Sequence, residues 1–307
     1  METKVLFILK RREDYNEIIH SPRGLSTGLF NSATFMSDML NDQGIWSELE
    51  VAVDNNCIDK LVTKHKPTHV VIEALWVVPS KFEVLTKLHP NVKWIVRIHS
   101  EMPFMANEGM AMDWIGGYST FENIIIAPNA PRMLKEIRSY LQVRNDWSDR
   151  YTAERVPYLP NFYPEGSTKK NYSGMYFGRH IDIGCFGAVR PLKNHLLQAH
   201  AALMFAEKIG KKLRFHINVG RIENRGDPVM NNLKGMFEHL YDRGHRMIGH
   251  EWTPRDEFLE LCASMDIGMQ SSFSETFNIV GCDLITQGTP LVADHHELPW
   301  YSSLFSA

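Results

Sequence analysis

The sequence predicts an α/β protein made of two doubly wound parallel-sheet domains in tandem. Three observations carry that expectation. Apolar runs such as VLFIL (5–9) and NIIIAP (123–128) alternate with helical patterns, as in an open parallel sheet with crossover helices. The alternation stops once, at the polar and aperiodic PEGSTKKNYSG (164–174), and then resumes. The 307 residues, 44% hydrophobic and 22% charged, exceed one small core and suffice for two. The expected division is a first domain over 1–164, a linker over 165–179 and a second domain over 180–307.

VLFIL reads as a strand covered on both faces, because it is continuously apolar. Leu29, Ala33, Met36 and Leu40 recur at helical spacing, and Gly44 is a suitable stop. A strand near 48–53, a helix near 57–65 and the strand HVVIEAL (69–75) follow. Another helix leads to KWIVRIHS (93–100), and residues beyond it read as irregular. NIIIAP is the next strand, NAPRMLKEIRSYL (129–141) its helix, and RVPYLP (155–160) the last strand of the half. After the linker come the strand HIDIGCFG (180–187), the helix HLLQAHAALMFAEKIG (195–210) and the strand LRFHINV (213–219). A helix covers 229–243. In TPRDEFLELCASM (253–265), Thr253 is the expected N-cap, with Pro254 at the first helical position. The strand DIGMQSS, a helix from Asn278 and the strand TPLVA complete the alternation. Ligands of such sheets gather beyond the carboxyl ends of the strands, so two facing domains imply a central cleft.

Composition removes several functional classes. The formal net charge is −3, with 18 Lys+Arg against 20 Asp+Glu in residues 1–164 and 15 against 16 in the remainder. Neither half is a basic body shaped for a nucleic-acid backbone. Four scattered cysteines without a Cys-x-x-Cys read as buried apolar residues in a reducing compartment. No run is long enough to span a bilayer and the first residues lack a signal-peptide core, so a cytoplasmic protein is expected. No two glycines stand two positions apart, which removes the dinucleotide fingerprint, and there is no Walker A loop or His-Glu-x-x-His. No Asp-x-Asp is present, and adjacent His295 and His296 read as a solvated loop, so neither metal nor cofactor is expected.

Three strand-end loops remain. In IHSPRGLSTGLFNSA (19–33), Gly28 lets backbone approach a ligand at a helix start, whose free N–H groups suit a phosphate. In FGAVRPLKNHLL (186–197), Gly187 is followed by Arg190 and Lys193. Two cations at a helix start oppose its dipole and are better explained by an anion between them. In FSETFNIVGCDLITQGTPLVA (273–293), Glu275 precedes a helix and Asp283 sits in its second turn. Carboxylates beside a phosphate site fit a ligand that also carries hydroxyls, as a nucleotide sugar does.

These residues resemble the retaining glycosyltransferases of the GT-B fold, specifically the large family 4 (glycosyl transferases group 1). ETFNIVGCD followed by LITQGTPLVA is similar to that family's Glu-x7-Glu motif and Gly-Thr-Pro segment, with Asp283 in the second acidic place. The likeness is strongest over 181–293. It implies a GT-B pair of Rossmann-like domains and a nucleoside-diphosphate sugar as donor. Lys193 matches the diphosphate-binding lysine, and Ala188 stands where an arginine is usual, with Arg190 two positions on. Glu275 would contact sugar hydroxyls, helped by backbone N–H groups at Phe277 and Asn278. Asp283 would hold the ribose, Gly28 and Gly187 would admit the phosphates, and His99 would hydrogen-bond the sugar. The resemblance also implies that the chain stops before the family's last helix.

The expected activity is metal-independent transfer of a hexosyl group, with retention, to an acceptor the sequence leaves open: glycan, lipid, small molecule or DNA. One alternative is a non-catalytic nucleotide-sugar-binding protein. Others are a phage-type enzyme that glycosylates DNA bases, and an epimerase of the same fold, for which Glu73 and Glu101 are the only candidate acid/base carboxylates.

Overall fold

The computed structural model describes residues 2–11, 27–164 and 178–294. Most of the expected linker, the first part of the glycine loop, and the His295–His296 pair lie outside the described residues. Two compact units form, one from β1 (Lys4–Lys10) and residues 29–164, the other from residues 178–294 with 27–28. Each holds a five-stranded parallel sheet.

In the first unit β1 pairs with β2 (Trp46–Ala52) and β3 (His69–Glu73). β4 (Lys93–Ile98) and β5 (Ile124–Pro128) extend the order β2-β1-β3-β4-β5. Leu6 and Ile8 of β1 face one core with Trp94, Phe82 and Ile126, whereas Phe7 faces another with Met36 and Val71. Burial on both faces explains the unbroken apolar run, and each such side chain contributes about 1.5–3 kcal/mol. The covering helices are α1 (Gly28–Asp42), α2 (Cys57–His65), α3 (Pro79–Leu88), α4 (Met102–Met105), α5 (Ala111–Tyr118), α6 (Pro131–Asn145) and α7 (Asp149–Arg155).

Two expectations are corrected here. The stretch after β4, read as irregular, forms α4 and α5. Gly116 and Gly117 do not break α5: a Cβ at Gly117 would lie 2.8 Å from the Pro79 ring, and one at Gly116 2.7 Å from the Arg144 side chain. They permit close helix packing. RVPYLP is not a strand. Arg155 ends α7, and Pro157 and Pro160 lack the N–H groups a ladder needs. The Leu159 N–H donates to Pro128 O of β5 at 3.0 Å, and the Arg155 side chain to Ile124 O at 2.9 Å.

The second unit contains β6 (His180–Gly184), β7 (Lys212–Asn218), β8 (Arg246–His250), β9 (Ile267–Gln270) and β10 (Leu291–Ala293), ordered β10-β9-β6-β7-β8. Helices α8 (His195–Lys208) and α9 (Asp227–His239) cover one face over Ile183, Leu213, Phe215 and Leu233. Helices α10 (Arg255–Ala263) and α11 (Ile279–Thr286) cover the other beside Phe186, Cys262 and Leu284. The edge strand β8 was not foreseen, since a charged start and Gly249 shorten its apolar signal. At α10 the N-cap is Pro254, without a side-chain hydrogen bond, rather than Thr253.

Candidate functional site

The strand order of the second sheet reverses between β6 and β9, and crevices at such reversals are where ligands of open α/β sheets bind. The loops leaving these two strands carry the expected residues. After β6, Gly187 adopts φ +114°, a conformation that side-chain-bearing residues rarely take. Its N–H donates to Asn218 Oδ1 at 2.8 Å. A 3₁₀ turn, Pro191–Lys193, then delivers the chain to Asn194, which is left-handed at φ +56° and opens α8. Asn tolerates that conformation better than most residues.

Three hydrogen bonds stitch this loop and the start of α8 to the loop after β9, and a fourth ties α8 back to Lys193. Phe273 N–H donates to Leu192 O (2.9 Å), and Asn194 Nδ2 to Ser271 O (3.1 Å). Gln198 Nε2 donates to Lys193 O (2.7 Å), while its Oε1 accepts from Ser271 N–H (2.9 Å). Across the seam Lys193 Nζ donates to Glu275 Oε1 in an ion pair whose side chains are 10% and 9% exposed. Lys193 and Glu275, 82 residues apart, thus meet at the carboxyl ends of adjacent strands.

Asn278, left-handed at φ +54°, caps α11: its Oδ1 accepts from Gly281 N–H at 3.0 Å, and its Nδ2 donates to Gln270 Oε1 at 3.0 Å. Phe277 lies half-buried just before it. Asp283 is buried in α11, with Oδ1 2.9 Å from Arg255 Nη2. Arg190 approaches Glu223 at 3.8 Å, and Arg221 pairs with the same carboxylate at 2.6 Å while covering the Trp252 ring at 5.1 Å. Val189 forms a parallel bridge with Ile222, so the loops after β6 and β7 also adjoin. Burial pushes the Cys185 thiol up to about 12 against the pull of Lys193, leaving it protonated at neutral pH. His195, the first residue of α8, is fully buried, and neither ring nitrogen has a hydrogen-bond partner. Burial, then Lys193 and Arg190, push its pKa down to about 3, so the ring is neutral.

His99 lies at the carboxyl edge of the first sheet, within a buried polar network. Its Nε2 donates to Glu73 Oε2, and its Nδ1 accepts from Asn129 Nδ2 at 3.1 Å. Glu73 also accepts from Arg97 at 3.2 Å, both being fully buried. Burial would raise the Glu73 pKa, but Arg97 and His99 outweigh it and hold the carboxyl below its ordinary value. Burial holds His99 low in turn, against the pull of Glu73. Arg97 then collects the end of the unit, donating to Leu159 O (3.3 Å), Pro160 O (2.8 Å) and Asn161 Oδ1 (2.7 Å).

The structure therefore gathers Gly187, Arg190, Lys193, Glu275, Phe277, Asn278 and Asp283 around one sheet edge of the second unit. His99 belongs to the first unit, and both its ring nitrogens are already engaged there. Asp283 likewise already holds Arg255. Gly28 is the first residue of α1. Glu73 is an ion-pair member rather than a free acid/base group, and Glu101 is buried at the start of α4. Sequence reasoning missed Gln198, Asn218 and Arg255; none sits in a recognisable motif, and each acts through a distant strand or helix. Among the described residues no three His, Cys, Asp or Glu side chains are placed to hold a metal ion, and no helix is long and apolar enough to cross a membrane.

No family model matches the sequence, and neither does any curated protein. Among solved structures, similarity is to GT-B proteins. The catalytic domain of starch synthase IV from Arabidopsis thaliana, bound to ADP and acarbose, aligns over 100% of this chain and 85% of its own. The TM-score is 0.68 at 11% identity. An α-glucosyltransferase in complex with UDP and a 13-mer DNA aligns over 96% of this chain and 81% of its own, with TM-score 0.60 and 13% identity. A TarM mutant from S. aureus in complex with fondaparinux, α-GlcNAc-glycerol and UDP aligns over 78% of this chain at TM-score 0.55 and 14% identity. The chain spans only 44% of that protein. At these identities the likeness establishes the fold: two Rossmann-like units of the GT-B class.

Proposed function

We propose that the protein transfers a hexosyl group from a nucleoside-diphosphate sugar to an acceptor, with retention at the anomeric carbon and without a metal ion. The observation that carries this reading is the buried Lys193–Glu275 pair spanning the two strand-end loops. A cation for phosphate and a carboxylate for sugar hydroxyls stand side by side where a GT-B fold binds its donor. Lys193 and Arg190 stabilise charge developing on the leaving diphosphate, a preorganised electrostatic role. Gly187 and Gly28 let backbone approach the phosphates. Glu275, with the N–H groups at Phe277 and Asn278, orients the sugar, and Asp283 holds the ribose while sharing its carboxylate with Arg255. His99 reaches a sugar only if Asn129 releases its ring. The anomeric carbon–phosphate oxygen bond breaks, and a bond to the acceptor oxygen forms on the same face. The acceptor proton passes to the departing phosphate.

The occupied state of Asp283 favours a second reading, a nucleotide-sugar binder that performs no transfer. A third makes DNA the acceptor, as in the bound state of the α-glucosyltransferase above. One experiment orders the readings: melting curves with UDP, GDP, ADP and their sugars, followed by assay of released diphosphate. A ligand at a hundredfold its Kd should stabilise by about 2.7 kcal/mol. Stabilisation with release of free diphosphate supports the enzyme. Stabilisation without release supports the binder, and no stabilisation by any nucleotide overturns both.

A further inference from the structure

Helix α8 is built the wrong way round for a covering helix. Its buried sheet-facing positions include the small Ala199, Ala202 and Ala206, and although Leu203 packs against the core, Leu197, Met204 and Phe205 are exposed. Leu197, Ala201 and Met204 follow one another at i, i+4 and i+7 on the solvent face, with Leu197 57% and Met204 63% exposed. Phe205, 41% exposed, flanks them, and Ile209 continues the apolar surface past the helix end. A solvent-exposed stripe of this kind is unusual for a surface that only meets water.

The stripe ends at a basic pole. All strands of a parallel sheet start at one edge, and here that edge gathers cations from four elements. Lys208 closes α8, Lys211 precedes and Lys212 opens β7, Arg179 precedes β6, and Arg243 precedes and Arg246 opens β8. Among the described residues, Arg179, Lys208, Lys211 and Arg243 form no ion pair. Opposing them are Asp242, Glu207 and Asp266; Glu207 is already shared by Lys212 at 3.6 Å and His245 at 2.9 Å, and Asp266 accepts from Asp182 N–H at 2.9 Å. Tyr241 stands 59% exposed at the same pole with the Arg246 guanidinium 3.5 Å from its ring centroid. Aliphatic and aromatic side chains bordered by lysine and arginine are what an interface of acyl chains and anionic headgroups attracts. A second copy meeting this pole symmetrically would bring like charges together. A nucleic-acid backbone would use the cations but leave the aliphatic stripe in water.

We propose that this end of the second unit docks peripherally on an anionic lipid surface. Helix α8 lies in the interface plane, its Leu197–Met204 stripe entering the acyl boundary and the basic pole contacting the headgroups. The proposal rests on surface chemistry alone and stands independently of sugar transfer.

The test is co-sedimentation of the full chain with extruded vesicles of phosphatidylcholine alone or mixed with phosphatidylglycerol, across a salt series. Binding should require phosphatidylglycerol and weaken with salt. Lys208→Gln and Lys211→Gln should each lower the partition coefficient about five-fold. The combined Leu197→Ser, Met204→Ser and Phe205→Ser variant should lower it by on the order of ten-fold or more at low salt. Melting curves verify that each variant remains folded. The proposal is overturned if the unsubstituted chain ignores phosphatidylglycerol vesicles, or if the serine variant binds as well as the parent. Equal retention of the parent and serine variants by duplex DNA, with no vesicle binding, would instead assign the pole to nucleic acid.

Discussion

Removing the Lys193 ammonium leaves the Glu275 carboxylate nearly buried without its counter-charge. Lys193→Met should therefore lower the melting temperature, with a cost of up to about 3 kcal/mol. If Lys193 also meets the leaving diphosphate, kcat should drop about 10²–10³-fold, and steady-state assays beside melting curves would separate the two effects. His195 gives a different residue-scale expectation. Its ring is buried, without hydrogen bonds, and held neutral by a pKa pushed down to about 3 from 6.5. Between those values the unfolded chain binds a proton that the folded chain refuses, so stability falls as pH drops through that window. The slope is about 1.4 kcal/mol per pH unit. His195→Leu should remove this contribution, so melting temperatures measured from pH 7 down to pH 4 should decline less than for the parent. An unchanged profile would mean that the ring finds a partner in solution.

At the scale of elements, the site depends on loops that touch through backbone. The bridge between Val189 and Ile222 is held by Val189 N–H to Arg221 O and Glu223 N–H to Val189 O, both 2.9 Å. Gly226 closes this loop, and a Cβ there would stand 2.0 Å from Val189 O. Gly226→Ala should thus push the loop after β7 away from the loop after β6. The stability loss should be about 1–3 kcal/mol, with weaker stabilisation by any nucleotide that the parent binds. The same loops show what sequence could disclose. Gly187, Lys193, Glu275 and Asn278 were legible because strand, loop and helix start follow one another locally. Their partners were not. Spacing tells which face a residue occupies but not which strand lies beside it. Hence the joining of Lys193 to Glu275, of Asp283 to Arg255 and of Glu73 to Arg97 waited for sheet order. RVPYLP was misread because its apolar content imitates a strand while its prolines forbid one, and Gly116 and Gly117 imitate a break where they allow close packing.

At the scale of the molecule, each unit owns its cores: Phe82, Trp94 and Ile126 in the first, Leu213, Phe215 and Leu284 in the second. Separate cores favour separate transitions, and a ligand stabilises only what it binds. Scanning calorimetry should resolve two unfolding events. A nucleotide that raises the melting curve should move chiefly the event that Lys193→Met also lowers. A single transition displaced as a whole would show that the units unfold as one.

The bond between Lys193 and Glu275 has a consequence for any phosphate that settles there. The incoming oxygen does not discover a bare cation; it must dislodge a resident acid. Association becomes an exchange of one anion for another, and the carboxylate set loose is ready to accept hydroxyl protons from whatever the phosphate carries. A bare diphosphate, having no such hydroxyls at that end, recovers less of the cost than one bearing a sugar. If the proposed function holds, the lysine's own neighbour would favour the loaded donor over the spent one.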